Sequence, residues 1–475
     1  MNRGLGSWPA RRAAISPDRV ALVFGDASWT YAELRDRISR LAHRLRVAGA
    51  DRGDRVAYLG PNHPALVETL FATHLLGAVF VPLNSRLTAA ELRYQLDHSG
   101  ARILIRAPEC ADVSAPTTIP LSSLSALPEG PPIEADVALD DPALILYTSG
   151  TTGRPKGAVL THGNVTWNTY NLLVGVDVAG DEVTLIGAPL FHVAALNQCL
   201  LPTVLKGGRC VIMPSWNVDQ ALDLIESQRV TWMFGVSAMF AALARSPRWP
   251  HTDLSSLRCV MSGGAAVPPA LIRAYQERGL TFCQGYGMTE TAPGATFLEA
   301  RESLDHVGSA GVPVFFTDVR VDGNPGEVLV RGPNVTPGYW NDPAATAGAF
   351  TDGWLHTGDI AEVDPGGHFH ILDRLKDMYI SGGENVYPAE VEAALFTHPG
   401  VAEAAVIGIP DERWGEVGRA FIVPAPGPTP STTELRDHLI ERLAKYKIPA
   451  EFTFVDDLPR TGSNKVRKAD LRKLR

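Results

Sequence analysis

Leu34, Ile38, Leu41 and Leu45 recur at helical spacing behind Thr30-Tyr31-Ala32-Glu33, which reads as a capping box, and Gly49 stops the run. The pattern predicts a helix with one apolar face. Thr88-Ala89-Ala90-Glu91 caps a second helix that ends at Gly100. The apolar runs Val56 to Leu59, Val79 to Leu83 and Ala101 to Ile105 read as strands, and Leu66 to Leu83 as a buried helix followed by a strand. Strands separated by helices predict parallel α/β sheets. Ala143 to Tyr147 reads as a buried strand, reached through Pro128 to Pro142, a proline-rich, acidic stretch expected at the surface. Val260 to Ala265 reads as a strand ending in a tight, exposed turn, and Gly326 to Gly332 as a strand of a smaller β unit. Past Pro388 the character changes. A helix runs to His398, strands follow at Ala404 to Ile409 and Phe421 to Val423, and Ser431-Thr432-Thr433-Glu434 caps another helix. This tail reads as a compact α+β unit. The expected fold class is therefore α/β: a large N-terminal domain of mainly parallel sheets flanked by helices, with a small β unit, and then a small α+β C-terminal domain.

Composition narrows the class. The chain has 475 residues, 45% of them hydrophobic, enough for two or three domains with a large core. A net charge of −9 argues against nonspecific nucleic-acid binding. The five cysteines form no Cys-x-x-Cys pair and read as small core residues of a reducing, cytoplasmic setting. Met1 to Ala14 lacks the apolar centre of a signal peptide. The most apolar window contains Glu68, Thr69 and His74 and is broken by Gly77, so no transmembrane segment is expected. Loose contact with a membrane surface is left open.

Chemistry enters at Thr148-Ser149-Gly150-Thr151-Thr152-Gly153-Arg154-Pro155-Lys156-Gly157. Glycines let backbone N–H groups turn toward an anion, the hydroxyls add donors, and Lys156 adds charge. This suits phosphate. It is not a Walker loop, which needs Ser or Thr directly after Gly-Lys. The bland reading is a polar surface hairpin. A second stretch, Gln284-Gly285-Tyr286-Gly287-Met288-Thr289-Glu290, sets an aromatic, a hydroxyl and a carboxylate within five residues. Such a set can stack on a base, donate to phosphate and hold Mg²⁺; by itself it reads rather as a loop with a capping Thr and a solvated Glu. Further on stand Trp354-Leu355-His356-Thr357-Gly358-Asp359, Asp373-Arg374-Leu375-Lys376-Asp377, Ser381-Gly382-Gly383-Glu384-Asn385 and Pro459-Arg460-Thr461-Gly462-Ser463-Asn464-Lys465. Singly, most of these charges read as solvated turns.

Together and in this order, the stretches resemble the adenylate-forming superfamily, from about Ile15 to Leu474, and most closely its bacterial fatty-acyl-CoA ligases. The resemblance implies an ATP site of Thr148, Ser149, Gly150, Thr151, Thr152, Lys156, Gly263, Gly264, Ala265, Gln284, Gly285, Tyr286, Gly287, Thr289, Asp359 and Arg374. Within it Tyr286 stacks on adenine, Asp359 and Arg374 hold the ribose, and Thr289 and Glu290 serve phosphate and Mg²⁺, with Glu290 the metal ligand. Lys465 is the catalytic cation of adenylation. Asn464 stands where the family usually has glycine, and asparagine tolerates the positive φ such a turn uses. Ser381, Gly382, Gly383, Glu384 and Asn385 line the approach of CoA. The domains implied are 1–375 and a mobile 376–475, hinged near Lys376.

The implied reaction uses ATP, Mg²⁺ and CoA to convert a carboxylic acid to acyl-AMP and then a thioester, releasing pyrophosphate and AMP. The expected partners are small molecules only, with the chain a monomer or homodimer. Phe191, His192, Val193, Trp232, Phe234 and Gly287 should line the acyl pocket. Acetate-specific relatives carry tryptophan where Gly287 stands, and malonate-type relatives arginine where Gly285 stands. An open, uncharged, apolar pocket favours a medium- or long-chain fatty acid, with an aryl or other bulky acid as the rival. A stand-alone enzyme loading a carrier protein is the other alternative. Intact Lys465, Glu290 and Asp359 argue against a non-catalytic nucleotide or acyl-AMP binder.

Overall fold

The computed structural model describes residues 3–127, 129–130, 133, 135–148, 155–264, 267–299, 301–303, 305–375, 377–381, 384–411, 414–460 and 465–474. Two compact units emerge. The first holds Met1–Val319, Val330–His356 and Gly367–Phe369; the second holds Arg320–Leu329, Thr357–Gly366 and His370–Arg475.

The first unit contains two sheets. In one, the strands run in the order Gly338–Tyr339, Lys156–Thr161, Pro142–Thr148, Val79–Leu83, Arg55–Leu59, Ala101–Arg106 and Thr117–Pro120. Its last five strands are mutually parallel, and antiparallel pairs close the other edge. The second sheet has nine strands. Its central run, Phe282–Gly287, Cys259–Gly263, Trp232–Gly235, Val183–Ile186, Arg209–Ile212 and Val20–Phe24, is parallel throughout.

Parallel strands are covered on both faces, so alternate residues enter different cores. Val56 and Tyr58 join one core cluster while Ala57 and Leu59 join another. Trp232 and Phe234 likewise face away from Met233. Helix Tyr31–Val47 starts at the expected capping box, with Thr30 Oγ1 accepting from Glu33 N and Glu33 answering the Thr30 N–H. It buries Leu34, Ile38, Leu41 and Leu45, each worth about 1.5–3 kcal/mol against exposure. Two expectations need correction. Ile133 and Val137, within the expected surface connection, are buried, although Glu129, Asp136 and Ala138 to Asp140 are exposed as expected. Cys110 is half-exposed, unlike the other four cysteines, and all five are free thiols.

In the second unit, Gly415–Pro424 pairs with Val401–Asp411, with Tyr379–Ser381 and, in parallel, with Glu451–Phe454. Helices Pro388–Phe396 and Thr432–Ile440 supply Val391, Leu395, Leu435 and Leu439 to its core. The capping box at Ser431 forms as expected. Among the described residues no helix is long and apolar enough to cross a membrane.

Candidate active site

The hydroxyl-rich stretch joins two antiparallel strands, with Thr148 opposite Lys156. Topologically it is a hairpin connection, and no helix follows at once. Ser149, Gly150, Thr151 and Thr152 lie outside the described residues. What distinguishes the hairpin from a surface loop is its root. Lys156 Nζ lies 5.2 Å from the centroid of the Tyr339 ring. At Gly157 a Cβ would come within 2.8 Å of Ile145 Cγ2 and 3.5 Å of Trp340 Cβ. The strand bearing the lysine is thus packed tightly against its neighbours.

Glu290 lies in a short turn, Thr289–Thr291, after the strand Phe282–Gly287, with Tyr286 half-buried at that strand's end. It is not the solvated carboxylate of the bland reading: the residue is only 4% exposed. Tyr339 Oη donates to Glu290 Oε1 over 2.9 Å, and Thr336 N donates to Glu290 O over 2.8 Å. Behind the turn, Asn334 Nδ2 donates to the carbonyls of Thr291 (2.8 Å) and Gly294 (2.7 Å). Burial first, and the Glu290 carboxylate second, push the Tyr339 phenol well above its ordinary range, so it stays a donor.

Strands Trp232–Gly235, Cys259–Gly263 and Phe282–Gly287 end side by side, with Gly235 opposite Ser262 and Gly263 opposite Gly285. The carboxyl ends of parallel strands are where open α/β sheets bind ligands. Small residues there are required by contact. At Gly263 a Cβ would lie 3.1 Å from Gly285 O and 3.3 Å from Phe234 Cε2. At Gly287 it would lie 1.6 Å from Pro293 O, so this backbone admits no side chain there, tryptophan included. Gly264 has φ +85° and open space beside it. Ala265 lies outside the described residues. The Gln284 Nε2 and Ser262 Oγ atoms, on paired residues, are buried without a hydrogen-bond partner.

The two expected acyl-pocket stretches do converge. Val193, Trp232 and Phe234 share a core cluster, Phe191 is largely buried, and His192 is half-exposed with its ring 4.7 Å from that of Phe191. Phe240, at the end of the second stretch, belongs to the opposite core. Polar side chains stand directly after the first stretch. The π-type turn Leu196–Leu200 carries Asn197 and Gln198 inward, and both are buried. Trp232 Nε1 donates to Gln198 O (3.1 Å) and Asn197 Nδ2 to Ala292 O (2.9 Å), while Asn197 Oδ1 and Gln198 Oε1 have no partner. Gln198 Nε2 lies 3.8 Å from where a Cβ on Gly294 would sit.

In the second unit, Asp359 is a strand residue, not a turn residue, and is buried; Arg374 Nε pairs with its Oδ1 at 2.9 Å. Asp377, expected to be solvated, is mostly buried and paired with Arg472 at 3.2 Å. Ser381 is buried and Glu384 exposed, on facing strands of a hairpin. Lys465 is exposed, beside Val466, which bridges to Arg460. Lys376, Gly382 and Gly383, the Asn385 side chain and Asn464 lie outside what the structure describes.

Sequence reasoning missed Tyr339, Asn334, Asn197 and Gln198. The first two stand in Asn334-Val335-Thr336-Pro337-Gly338-Tyr339, a turn-rich stretch whose partners are remote. In the first unit Glu290 carries a carboxylate and Thr148 and Thr289 carry hydroxyls, all hard oxygen donors. That set suits Mg²⁺ rather than a soft metal.

Comparison with known proteins agrees with this geometry. Residues 9–340 match the AMP-binding enzyme family and residues 390–465 the AMP-binding enzyme C-terminal domain. A feruloyl-CoA synthase of Amycolatopsis sp is 53% identical, covering 99% of both chains. The o-succinylbenzoate CoA synthetase of Bacillus subtilis, solved with the acyl-adenylate intermediate OSB-AMP, superposes with a TM-score of 0.91 at 37% identity, covering 99% of this chain and 98% of that one. The same enzyme with ATP and magnesium ion gives a TM-score of 0.90 at 36% identity over 98% and 99%. The chain belongs to the AMP-binding enzyme family, the adenylate-forming enzymes.

Proposed function

We propose that this acid–CoA ligase activates an aromatic carboxylic acid bearing a hydrogen-bond donor, such as a hydroxylated cinnamic acid, with ATP, Mg²⁺ and CoA. The observation that carries the acid's identity is the pair of buried, unpartnered amide oxygens, Asn197 Oδ1 and Gln198 Oε1, on the turn whose Gln198 carbonyl accepts from Trp232 Nε1. A buried acceptor without a donor costs about 1–3 kcal/mol. A phenolic hydroxyl reaching one of these oxygens would supply its missing donor, whereas an alkyl chain has none to give. A 53% identical relative is named for feruloyl-CoA and a 37% identical one for o-succinylbenzoate, which supports the aromatic reading.

The proposed chemistry answers a simple difficulty: a carboxylate has no usable leaving group. Attack of its oxygen on the α-phosphorus of ATP forms a mixed anhydride and expels pyrophosphate. The CoA thiol then attacks the acyl carbonyl and AMP departs. Positioning and charge neutralisation do most of this work. Thr148 and Lys156, with the stretch between them, take the outer phosphates, and Lys465 neutralises charge growing at the α-phosphate. Asp359 and Arg374 take the ribose, Tyr286 the adenine, and the Ser381–Asn385 hairpin the entering thiol. Mg²⁺, when bound, offsets phosphate charge. The C-terminal unit moves about Lys376 between the two half-reactions, and a cytoplasmic setting supplies both ATP and CoA.

Pyrophosphate release tests the acid. Ferulate and p-coumarate should exceed unsubstituted cinnamate about tenfold in kcat/KM, near the cost of one unpaired buried acceptor. Decanoate should be weaker still. Decanoate or hexadecanoate turning over faster than every aryl acid would sink the assignment.

A further inference from the structure

We infer that Tyr339 is a positioning residue that holds the Glu290 carboxylate ready for a divalent cation while its ring seats the Lys156 ammonium. The inference rests on the proposed reading of Glu290 as a metal ligand.

Two motifs far apart in sequence meet on this one side chain. Its hydroxyl donates to Glu290 Oε1 at 2.9 Å, and its ring centroid lies 5.2 Å from Lys156 Nζ. Tyr339 is itself fixed from several sides. It pairs with Ala158 at the sheet edge, its N–H donates to Thr346 Oγ1 at 2.9 Å, and the next residue donates its N–H to Gly157 O at 2.7 Å. The strand that anchors Tyr339 is therefore the strand that begins with Lys156. A phenol anchored there restrains the rotation of the carboxylate. The cation over the ring's negative face is held without being neutralised. A phosphate arriving with its metal then meets a carboxylate and an ammonium already placed.

The test uses Mn²⁺ as the probe, titrated into the full chain with a non-hydrolysable ATP analogue and followed by electron paramagnetic resonance of the free ion. Tyr339→Phe keeps the ring and removes the donor. It should weaken Mn²⁺ about tenfold, the lower end for loss of an outer partner of a metal ligand. In a Glu290→Gln background the same change should shift Mn²⁺ affinity less than about twofold, because the donor acts only through that carboxylate. Tyr339→Leu should in addition weaken binding of the metal-free analogue, since Lys156 loses its seat. If Glu290→Gln weakens Mn²⁺ but Tyr339→Phe stays within about twofold of the unaltered chain, the inference fails and the Glu290 assignment stands. If Glu290→Gln itself leaves Mn²⁺ affinity unchanged, both fail. A lowered melting temperature in both tyrosine variants with unaltered metal affinity marks a packing role only and likewise overturns the inference.

Discussion

Lys156 and Lys465 carry the same charge on the two compact units, yet the chain holds them in different ways. Lys156 begins a sheet strand, and its ammonium faces the Tyr339 ring at 5.2 Å. Lys465 is exposed, in the short stretch between the Arg460–Val466 bridge partners. One cation stands in a sheet strand, the other at an exposed position next to a bridge residue. A charge held in a sheet is placed during folding, which suits binding in every state of a nucleotide. An exposed charge outside the sheets suits action in one step and absence from the next. The difference suits a binding role for the first and a step-specific role for the second.

The largest expected effect breaks this comparison if it is wrong. Lys465→Ala should slow acyl-adenylate formation about 10²–10³-fold, the scale for removing one donor to growing transition-state charge. Thioester formation from supplied acyl-adenylate should stay near its original rate. Lys156→Ala should instead raise KM for ATP with a smaller change in kcat. Single-turnover assays of the two half-reactions decide. Equal loss of both in Lys465→Ala would refute the division of labour.

What could be read from the chain follows the same line between local and remote. Thr30, Thr88 and Ser431 announced their helices because a capping box needs only four adjacent residues, and all three form. The alternation of strands and helices placed the parallel sheets for the same reason. Asp359 was harder. Its flanking Gly358 suggests a turn, but Thr357 Oγ1 donates to Val328 O at 2.7 Å and Gly358 N to Glu327 Oε1 at 2.9 Å, so long-range pairing keeps it in a strand. Tyr339 carried no local signal, because its partners lie 49 residues before it at Glu290 and further still at Lys156. Asn197 and Gln198 sit in an apolar run, and only the turn Leu196–Leu200 shows where they are carried. The site residues proposed from sequence are those whose chemistry is packed into one stretch. Those that hold or select are dispersed.

Acid should separate the units more gently. His74 and His162 pack edge to face in the first unit, ring centroids 4.9 Å apart. His74 is fully buried, and burial lowers its pKa from 6.5 to about 4 against the hydrogen bond to Ala143 O. His162 is also held well below its ordinary value by burial, with His74 adding to it. Between pH 6.5 and 4 the unfolded chain therefore binds more protons than the native one at His74. The stabilisation is complete above pH 6.5 and is lost as pH falls toward 4. Each pH unit is worth about 1.4 kcal/mol per group, so His74 alone should cost about 2 kcal/mol from pH 6.5 to 5. Glu68 in the same unit and Glu392 in the second are pushed up by burial, and their sign is opposite. His74→Gln, with an amide donor for Ala143 O, should flatten the fall in melting temperature between pH 7 and 5. An unchanged slope would remove His74 as its cause.

The smallest expected effect bears on the second unit's own charges. Arg374 meets the buried Asp359 at 2.9 Å, but its side chain is 42% exposed. Solvent screens such a pair to about 1 kcal/mol or less, so Arg374→Gln should lower the melting temperature only slightly. If the pair exists to present Asp359 to a ribose, KM for ATP should rise several-fold while kcat at saturating ATP holds, since a ground-state contact is lost. Deoxy-ATP, which lacks the 2′-hydroxyl, should discriminate less between the variant and the unaltered chain than ATP does. A melting temperature that drops sharply with KM unmoved would mean that the pair holds the strand Trp354–Val363 rather than the nucleotide. The second unit would then contribute Lys465 to the chemistry and leave nucleotide recognition to the first.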